Sequence, residues 1–366
     1  MHILMVVPKY PYPIVGGLER QAHILSRALV QRGIKATVLS GRFLQQQPDI
    51  ELVEGVNVVR ISRYERKYLG PLGAAIALLC KMVILRSHFD VVHIHNISGF
   101  GAWVLLISKL LKKPVLVKLP NVGSHGIPGI RAHALGTILL PIYRKSDAFV
   151  ALCKESVKEL IDIGYPTARI LSVPNGVPIS DFDRLPEEKR QSSPLKPVKI
   201  VFIGRIFPQK GLVDLLSIWD RVHSGAHGTV QLDIYGIGPQ ENELYELINK
   251  LSISDSVCMK GHILNVVPVL RDADIFVLPS YAEGNSNAIL EAMASHLPIV
   301  STRVGGTPAL VGKEGDDFLV RPGDRLSLAE RLLTLSSSED LRVTLGEAMF
   351  SRAQRFLVSM QWQNAI

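Results

Sequence analysis

Short apolar runs of the kind that make buried strands alternate along almost the whole chain with longer amphipathic runs, and this alternation constrains the fold more than any other feature. "HILMVVP", "KATVLS", "VNVVRIS", "DVVHIHN", "PVLVKL", "DAFVAL" and "RILSVP" occupy the first half, and "VKIVFIG", "VQLDIYG", "SVCMKG", "DIFVLP" and "PIVST" the second. Between several of them lie stretches with helical spacing such as "GLERQAHILSRALVQRG". Strands connected through helices make parallel sheets with both faces covered. The pattern breaks once, at "PISDFDRLPEEKRQSSPLKP", which is polar and holds four prolines. With 366 residues there is material for two domains of ordinary size. The expected fold is α/β, with two Rossmann-like doubly wound parallel-sheet domains facing a central cleft. The expected division is 1–178 and 198–350, a linker at 179–197, and a terminal helix at 351–366 able to cross back to the first domain.

Composition excludes several classes of function. At 47% hydrophobic and 20% charged residues the chain is globular. "MHILMVVPKY" lacks a basic leader and a cleavage site, so it reads as a buried strand and the expected location is cytoplasmic. Cys80, Cys153 and Cys258 form no CxxC pair, which fits reduced thiols and implies no metal site. Residues 1–178 hold 22 Lys and Arg against 10 Asp and Glu, net +12, whereas the remainder is −4. A basic half attracts anions, among them acidic lipid headgroups and phosphorylated substrates. Nucleic acid is the weakest of these partners, because aromatics make up only 6% of the chain and do not interleave with the basic residues. The stretch 69–85, "LGPLGAAIALLCKMVIL", is at the lower limit for a membrane span and contains Lys81. It reads as a core or surface-seated helix. Contact with a bilayer in its plane is the second reading, kept open by Arg60, Arg63, Arg66 and Lys67 just upstream.

The chemistry concentrates in two stretches. In "PSYAEGNSNAILEAMASHLPIV", residues 279–300, a strand ends at Pro279 and Ser280, a turn-rich loop follows, and a strong helix former begins near Asn287. A helix start at the carboxyl edge of a parallel sheet presents unpaired N–H groups and the positive end of the helix dipole to an anion. Glu283 lies in the loop above that start, and Glu291 lies eight positions on, about one turn into the helix. Carboxylates there suit hydroxyl donors such as a ribose or a sugar; the plain structural reading makes them a loop cap and a solvated helix residue. In "IVFIGRIFPQKG", residues 200–211, a strand delivers Gly204 and Arg205, and Lys210 follows at the next helix start. Two cations five apart fit a diphosphate. Basic loop residues are common, but that reading does not explain why these share a sheet edge with the two glutamates. Gly284, Asn285, Ser286 and Asn287 complete the expected donor-binding set.

Other motifs carry less. "GIGPQE" at 236–241 lacks the third glycine of a dinucleotide fingerprint. "DAD" at 272–274 opens a strand and "DFD" at 181–183 falls in the linker, so neither reads as a metal pair. His93 and His95 alternate along one strand and share a face; His93 is expected to be structural, and only the one at the strand end to reach the cleft.

Taken in order, "FIGRIFPQKG", "IYGIGPQENELYEL", "KGHI", "RDADIFVLPSYAEGNSNAILEAMA" and "PIVSTRVGGTPALV" resemble glycosyltransferase family 4, the retaining enzymes of the GT-B fold. "PYPIVGGLERQAHILSRAL", "FDVVHIHN" and "VPNGV" extend the resemblance to the first half. It implies an enzyme that moves a sugar from a nucleotide-sugar donor to an acceptor hydroxyl, with no cofactor and no bound metal. It places Glu283 beside the donor sugar, Glu291 on the ribose, and Arg205 and Lys210 on the diphosphate. Gly16 and Gly17 match the glycine loop after the first strand, where the backbone approaches phosphates and acceptor.

The sequence also departs from the family. "KKPVLVKLPNVGSHGIPG" has Lys118 and Pro120 where many members carry a histidine, and either His125 takes over or no histidine is needed. Ala309 replaces the usual acidic residue after "GGTP", "DD" replaces "NG" near 317, and the chain ends at "QWQNAI". The expected acceptor side is Gly17, Lys118 and His125, with His125 also in the catalytic set beside Glu283, Arg205 and Lys210. The expected partners are a UDP-sugar, a glycan or lipid-linked acceptor of bacterial surface polysaccharide assembly, and an anionic surface on the inner face of the cytoplasmic membrane. The rival readings are a nucleotide-sugar epimerase of the same fold and a degenerate nucleotide-sugar-binding protein.

Overall fold

A computed structural model describes residues 1–10, 16–42, 44, 46–61, 70–182, 197–227 and 229–356, without the side chains of 70–75. Outside it lie Arg63, Arg66, Lys67, Asp183, the middle of the expected linker, the "PYPIV" stretch and the terminal "QWQNAI". The chain divides into two compact units, and among the described residues these are 1–174 and 175–356.

The first unit is built on an eight-stranded sheet: β1 His2–Val6, β2 Lys35–Gly41, β3 Ile50–Val53, β4 Val56–Ile61, β5 Val91–Ile94, β6 Val115–Leu119, β7 Ala148–Ala151 and β8 Ile170–Ser172. Its order is β3-β4-β2-β1-β5-β6-β7-β8, parallel throughout except for the β3–β4 pair. The seven apolar runs of the first half account for every strand but β3. Its four residues lead into a tight turn at Glu54–Gly55, both with positive φ, and they alternate exposed and half-buried, so no apolar run marks them. On one face α1 (Gly17–Gln31) packs over Met5, Val38 and Val58. On the other, α2 (Gly70–Leu85), α3 (Gly99–Leu110), α4 (Ile127–Ala132) and α5 (Gly136–Tyr143) cover Leu4, Ile94 and Val117.

The second unit has a six-stranded, wholly parallel sheet: β9 Val198–Ile203, β10 Val230–Tyr235, β11 Val257–Gly261, β12 Ile275–Leu278, β13 Ile299–Thr302 and β14 Leu319–Val320. The order β11-β10-β9-β12-β13-β14 reverses direction between β9 and β12. One continuous core, with Trp219, Phe202 and Phe276 fully buried, fills both faces.

The division falls four residues earlier than expected. Val177, Ile179 and Phe182 are buried in the second unit's core, and the short helix Ile179–Phe182 belongs to that unit rather than to a linker. Polarity after Asp183 masked an anchor that is itself apolar. At the other end no new helix begins at 351: Ser351–Ala353 finish the helix Glu339–Ala353, a 3-10 turn follows at Gln354–Phe356, and 357–366 lie outside the described residues. No helix among the described residues is long and apolar enough to cross a membrane.

Candidate functional site

In an open parallel sheet, the carboxyl ends of the two strands flanking a reversal of order splay apart, because their following helices go to opposite faces, and ligands bind in that crevice. In the second unit those strands are β9 and β12. β9 leads into Gly204 and Arg205, and β12 leads into the loop that carries Glu283 and the helix Asn287–Ala294.

The two loops are bound to each other. Lys210 Nζ meets Glu283 Oε1 at 2.5 Å, both side chains being largely buried, and Ser280 Oγ donates to the same oxygen at 2.7 Å. Tyr281 N donates to the Gln209 carbonyl at 2.7 Å, and Gln209 Nε2 donates to the Ala282 carbonyl at 2.8 Å. Two glycines make the close approach feasible. Gly211 has φ +70°, and a Cβ there would lie 2.0 Å from the Pro279 carbonyl oxygen; Gly305 has φ +48°, and its Cβ would lie 1.6 Å from that of Glu283. Left-handed φ and backbone contact both require the missing side chain.

Ser286 is the N-cap of the helix Asn287–Ala294, its Oγ accepting from Ile289 N at 3.4 Å. The loop before it is held from elsewhere. Asn175 N donates to Asn285 Oδ1 at 3.0 Å, and Asn175 Nδ2 donates to the Asn285 carbonyl at 2.9 Å and to Asn287 Oδ1 at 2.8 Å. Gly306 N donates to the Gly284 carbonyl at 2.8 Å. Glu291 is 3% exposed, so it is not a solvated helix residue. Arg205 is exposed, with its guanidinium 5.0 Å above the Phe207 ring. The structure thus gathers Lys210, Glu283, Gly284, Asn285, Ser286 and Asn287 at one sheet edge; Gly204 and Arg205 flank them, with Arg205 in no bond to the pair.

In the first unit the reversal lies between β1 and β5. Gly16 caps α1 with φ −156°, an extended value open to any residue, so what its missing side chain provides is room: a Cβ would come 2.8 Å from the Glu19 carboxylate folded over the helix start. Gly17 opens α1 and is exposed. Lys118 is buried near the end of β6, and burial pulls its pKa down from 10.5 to about 7. His125 is exposed, on the 3-10 turn Gly123–His125, with Nδ1 3.1 Å from Ser124 Oγ. That turn is pinned by Glu159, which accepts from Gly123 N at 2.6 Å and Ile127 N at 2.9 Å.

His93 and His95 share a face, with ring centroids 4.2 Å apart, but both are buried. Burial lowers the His93 pKa to about 3, and burial with the neighbouring His93 and Lys118 holds His95 well below 6.5. Neither ring nitrogen of His95 has a hydrogen-bond partner among the described residues. The histidine at the strand end therefore reaches no solvent. In "DAD", Asp272 pairs with Lys199 and Asp274 accepts from Lys199 N at 2.8 Å, so both serve the start of β9.

Sequence reasoning did not assign roles to Asn175, Ser280, Gly305 or Gly306. The signal was present in the quoted "VPNGV" and "VGGTP", but the partners are 110 residues away in one case and about 20 in the other.

Known proteins share the sequence family and the fold. The profile described as Glycosyltransferase Family 4 matches residues 15–181, and that described as Glycosyl transferases group 1 matches 197–338. Sulfoquinovosyl transferase SQD2 of Arabidopsis thaliana is 25% identical over 97% of this chain and 70% of its own. Among solved structures, HepE of Anabaena in complex with UDP and glucose superposes with a TM-score of 0.81 at 19% identity, over 100% of this chain and 98% of its own. WaaG, a glycosyltransferase involved in lipopolysaccharide biosynthesis, superposes at 0.74 and 15%, over 99% and 98%.

Proposed function

Given that this chain belongs to the group 1, family 4 glycosyltransferases, we propose that it moves a sugar from a UDP-sugar, with retention at the anomeric carbon, to a hydroxyl of a lipid-linked glycan in bacterial surface polysaccharide assembly. The observation that carries the donor half is the crevice between β9 and β12, where a cation, a carboxylate and a capped helix start converge. The UDP and glucose held by HepE, a protein of the same fold, support a uridine donor, and the role of WaaG supports a cell-envelope acceptor.

As the bond from the anomeric carbon to the β-phosphate oxygen breaks, its electron pair passes to the diphosphate, the acceptor oxygen bonds to that carbon, and the hydroxyl proton passes to the departing phosphate oxygen. Lys210, Arg205 and the N–H groups at the start of the helix Asn287–Ala294 stabilise that charge. Lys210 reaches the phosphate by exchanging its bond to Glu283, and the released carboxylate turns to the hydroxyls of the donor sugar. Glu291 accepts from the ribose. Lys118, depressed to about 7, and His125 act on the acceptor side with Gly17. No cofactor or metal enters this chemistry, so EDTA should leave the rate unchanged.

A thermal-shift series with UDP, GDP and ADP tests the donor. UDP alone should stabilise, by several degrees at concentrations well above its Kd. A shift with GDP or ADP in its place rejects uridine, and release of free sugar without an acceptor favours the epimerase reading.

A further inference from the structure

In a globular unit the outward stripe of a surface helix is normally polar. On α3 the exposed positions are Gly99, Trp103 and Leu110, with Phe100, Leu106 and Lys109 half-buried beside them, and the one charge, Lys109, is paired with Asp147; Trp103 is 44% and Leu110 73% exposed. α2 presents Ile76, Val83 and Ile84 in the same way, and Leu135 and Ile138 stand out at α5. These helices lie side by side, α3 packing against both α2 and α5, with their inner faces in one core. Seven of the large apolar side chains exposed among the described residues therefore share one helical layer.

Topology gives this layer a charged margin. α2, α3 and α5 each lead directly into a parallel strand, β5, β6 and β7, so all three helix ends meet the amino edge of the sheet. Arg86 follows α2, Lys112 and Lys113 follow α3, and Arg144 and Lys145 follow α5. Asp90 and Asp147 are the acidic residues there, and Asp147 is already paired with Lys109.

We propose that the outer face of α2, α3 and α5 docks the protein on an anionic lipid bilayer, the apolar stripe entering the headgroup region and the basic edge resting on acidic headgroups. A broad apolar surface bordered by cations on one side complements that partner in both chemistry and charge. Trp103 would sit at the level where indoles prefer the membrane interface. The proposal rests on the lipid-linked acceptor reading and supplies the surface that would bring the enzyme to its substrate.

The test is co-flotation with vesicles of phosphatidylcholine containing phosphatidylglycerol, alongside quenching of tryptophan fluorescence by brominated lipid. Trp219 is fully buried, and a Trp362→Phe background leaves Trp103 as the reporter. The full chain should float with anionic vesicles, more weakly with pure phosphatidylcholine, and Trp103 should be quenched. Leu110→Glu with Ile138→Glu should abolish flotation, while Arg144→Glu and Lys145→Glu should each weaken it about fivefold or more. The UDP-induced thermal shift should survive in every variant, which shows that each is folded and separates this proposal from the donor assignment. Flotation unchanged by Leu110→Glu with Ile138→Glu would overturn the proposal. So would flotation that fails in the full chain while the UDP shift persists, or a loss of self-association as the only effect of that pair.

Discussion

Glu283 and Lys210 hold each other, and that pair makes an unusual demand on any nucleotide. With Lys210 as the proposed phosphate ligand, the diphosphate must displace a carboxylate from it. Glu283→Gln should therefore abolish transfer yet keep UDP affinity, or raise it severalfold, because the lysine is then held by a neutral amide. Isothermal titration with UDP, beside a transfer assay, checks both halves; a tenfold loss of affinity would place Glu283 on the nucleotide instead. Lys118 and His93 set a second residue-scale expectation. Both are pulled down by burial, to about 7 and about 3, so the folded state resists protons that the unfolded chain accepts. As pH falls from 10.5 toward 7, Lys118 should cost the first unit stability, and from 6.5 toward 3 His93 and His95 should cost more. Melting temperature against pH reads this directly, and Lys118→Met should flatten the alkaline slope.

At the level of elements, the loop from Pro279 to Asn287 is shaped by neighbours rather than by its own sequence. Asn175 supplies three hydrogen bonds to it, and Gly305 lets the following turn lie against the Glu283 carbonyl. Asn175→Ala should lower stability by roughly 1–3 kcal/mol and weaken UDP binding about tenfold, by freeing the helix start. Gly305→Ala should reduce transfer more than it reduces stability, since a Cβ there pushes the Glu283 backbone out of place. Denaturant melts and UDP titrations on the two variants distinguish these outcomes. The strands were legible because buried parallel strands are continuous apolar runs, and Glu283 with Lys210 was legible because strand ends at a reversal of order collect ligands. β3 and the hold of Asn175 on the loop were not. The first is half-exposed and carries no run; the second depends on which distant segment the loop packs against, which local pattern does not encode. The burial of Glu291 and His95 was hidden for the same reason.

For the molecule as a whole, two separately cored units lead to an expectation in calorimetry. Heating should resolve two transitions, and UDP should raise only the one belonging to residues 175–356. A single transition moved as a block would show that the units unfold together. Dissection meets a difficulty of its own. A cut at the polar, proline-rich stretch, where the chain looks most severable, would start the second piece at Val198 and strand Asn175, Val177, Ile179 and Phe182 on the wrong fragment. The piece would keep Arg205, Lys210 and Glu283 and still bind poorly, with a hole in its core and its site loop untethered. Severing at Pro174 instead would carry the tether along. Recombining domains between relatives thus has a seam at a dipeptide, and a chimera crossed a dozen residues late would look like a failure of specificity when it is a failure of support.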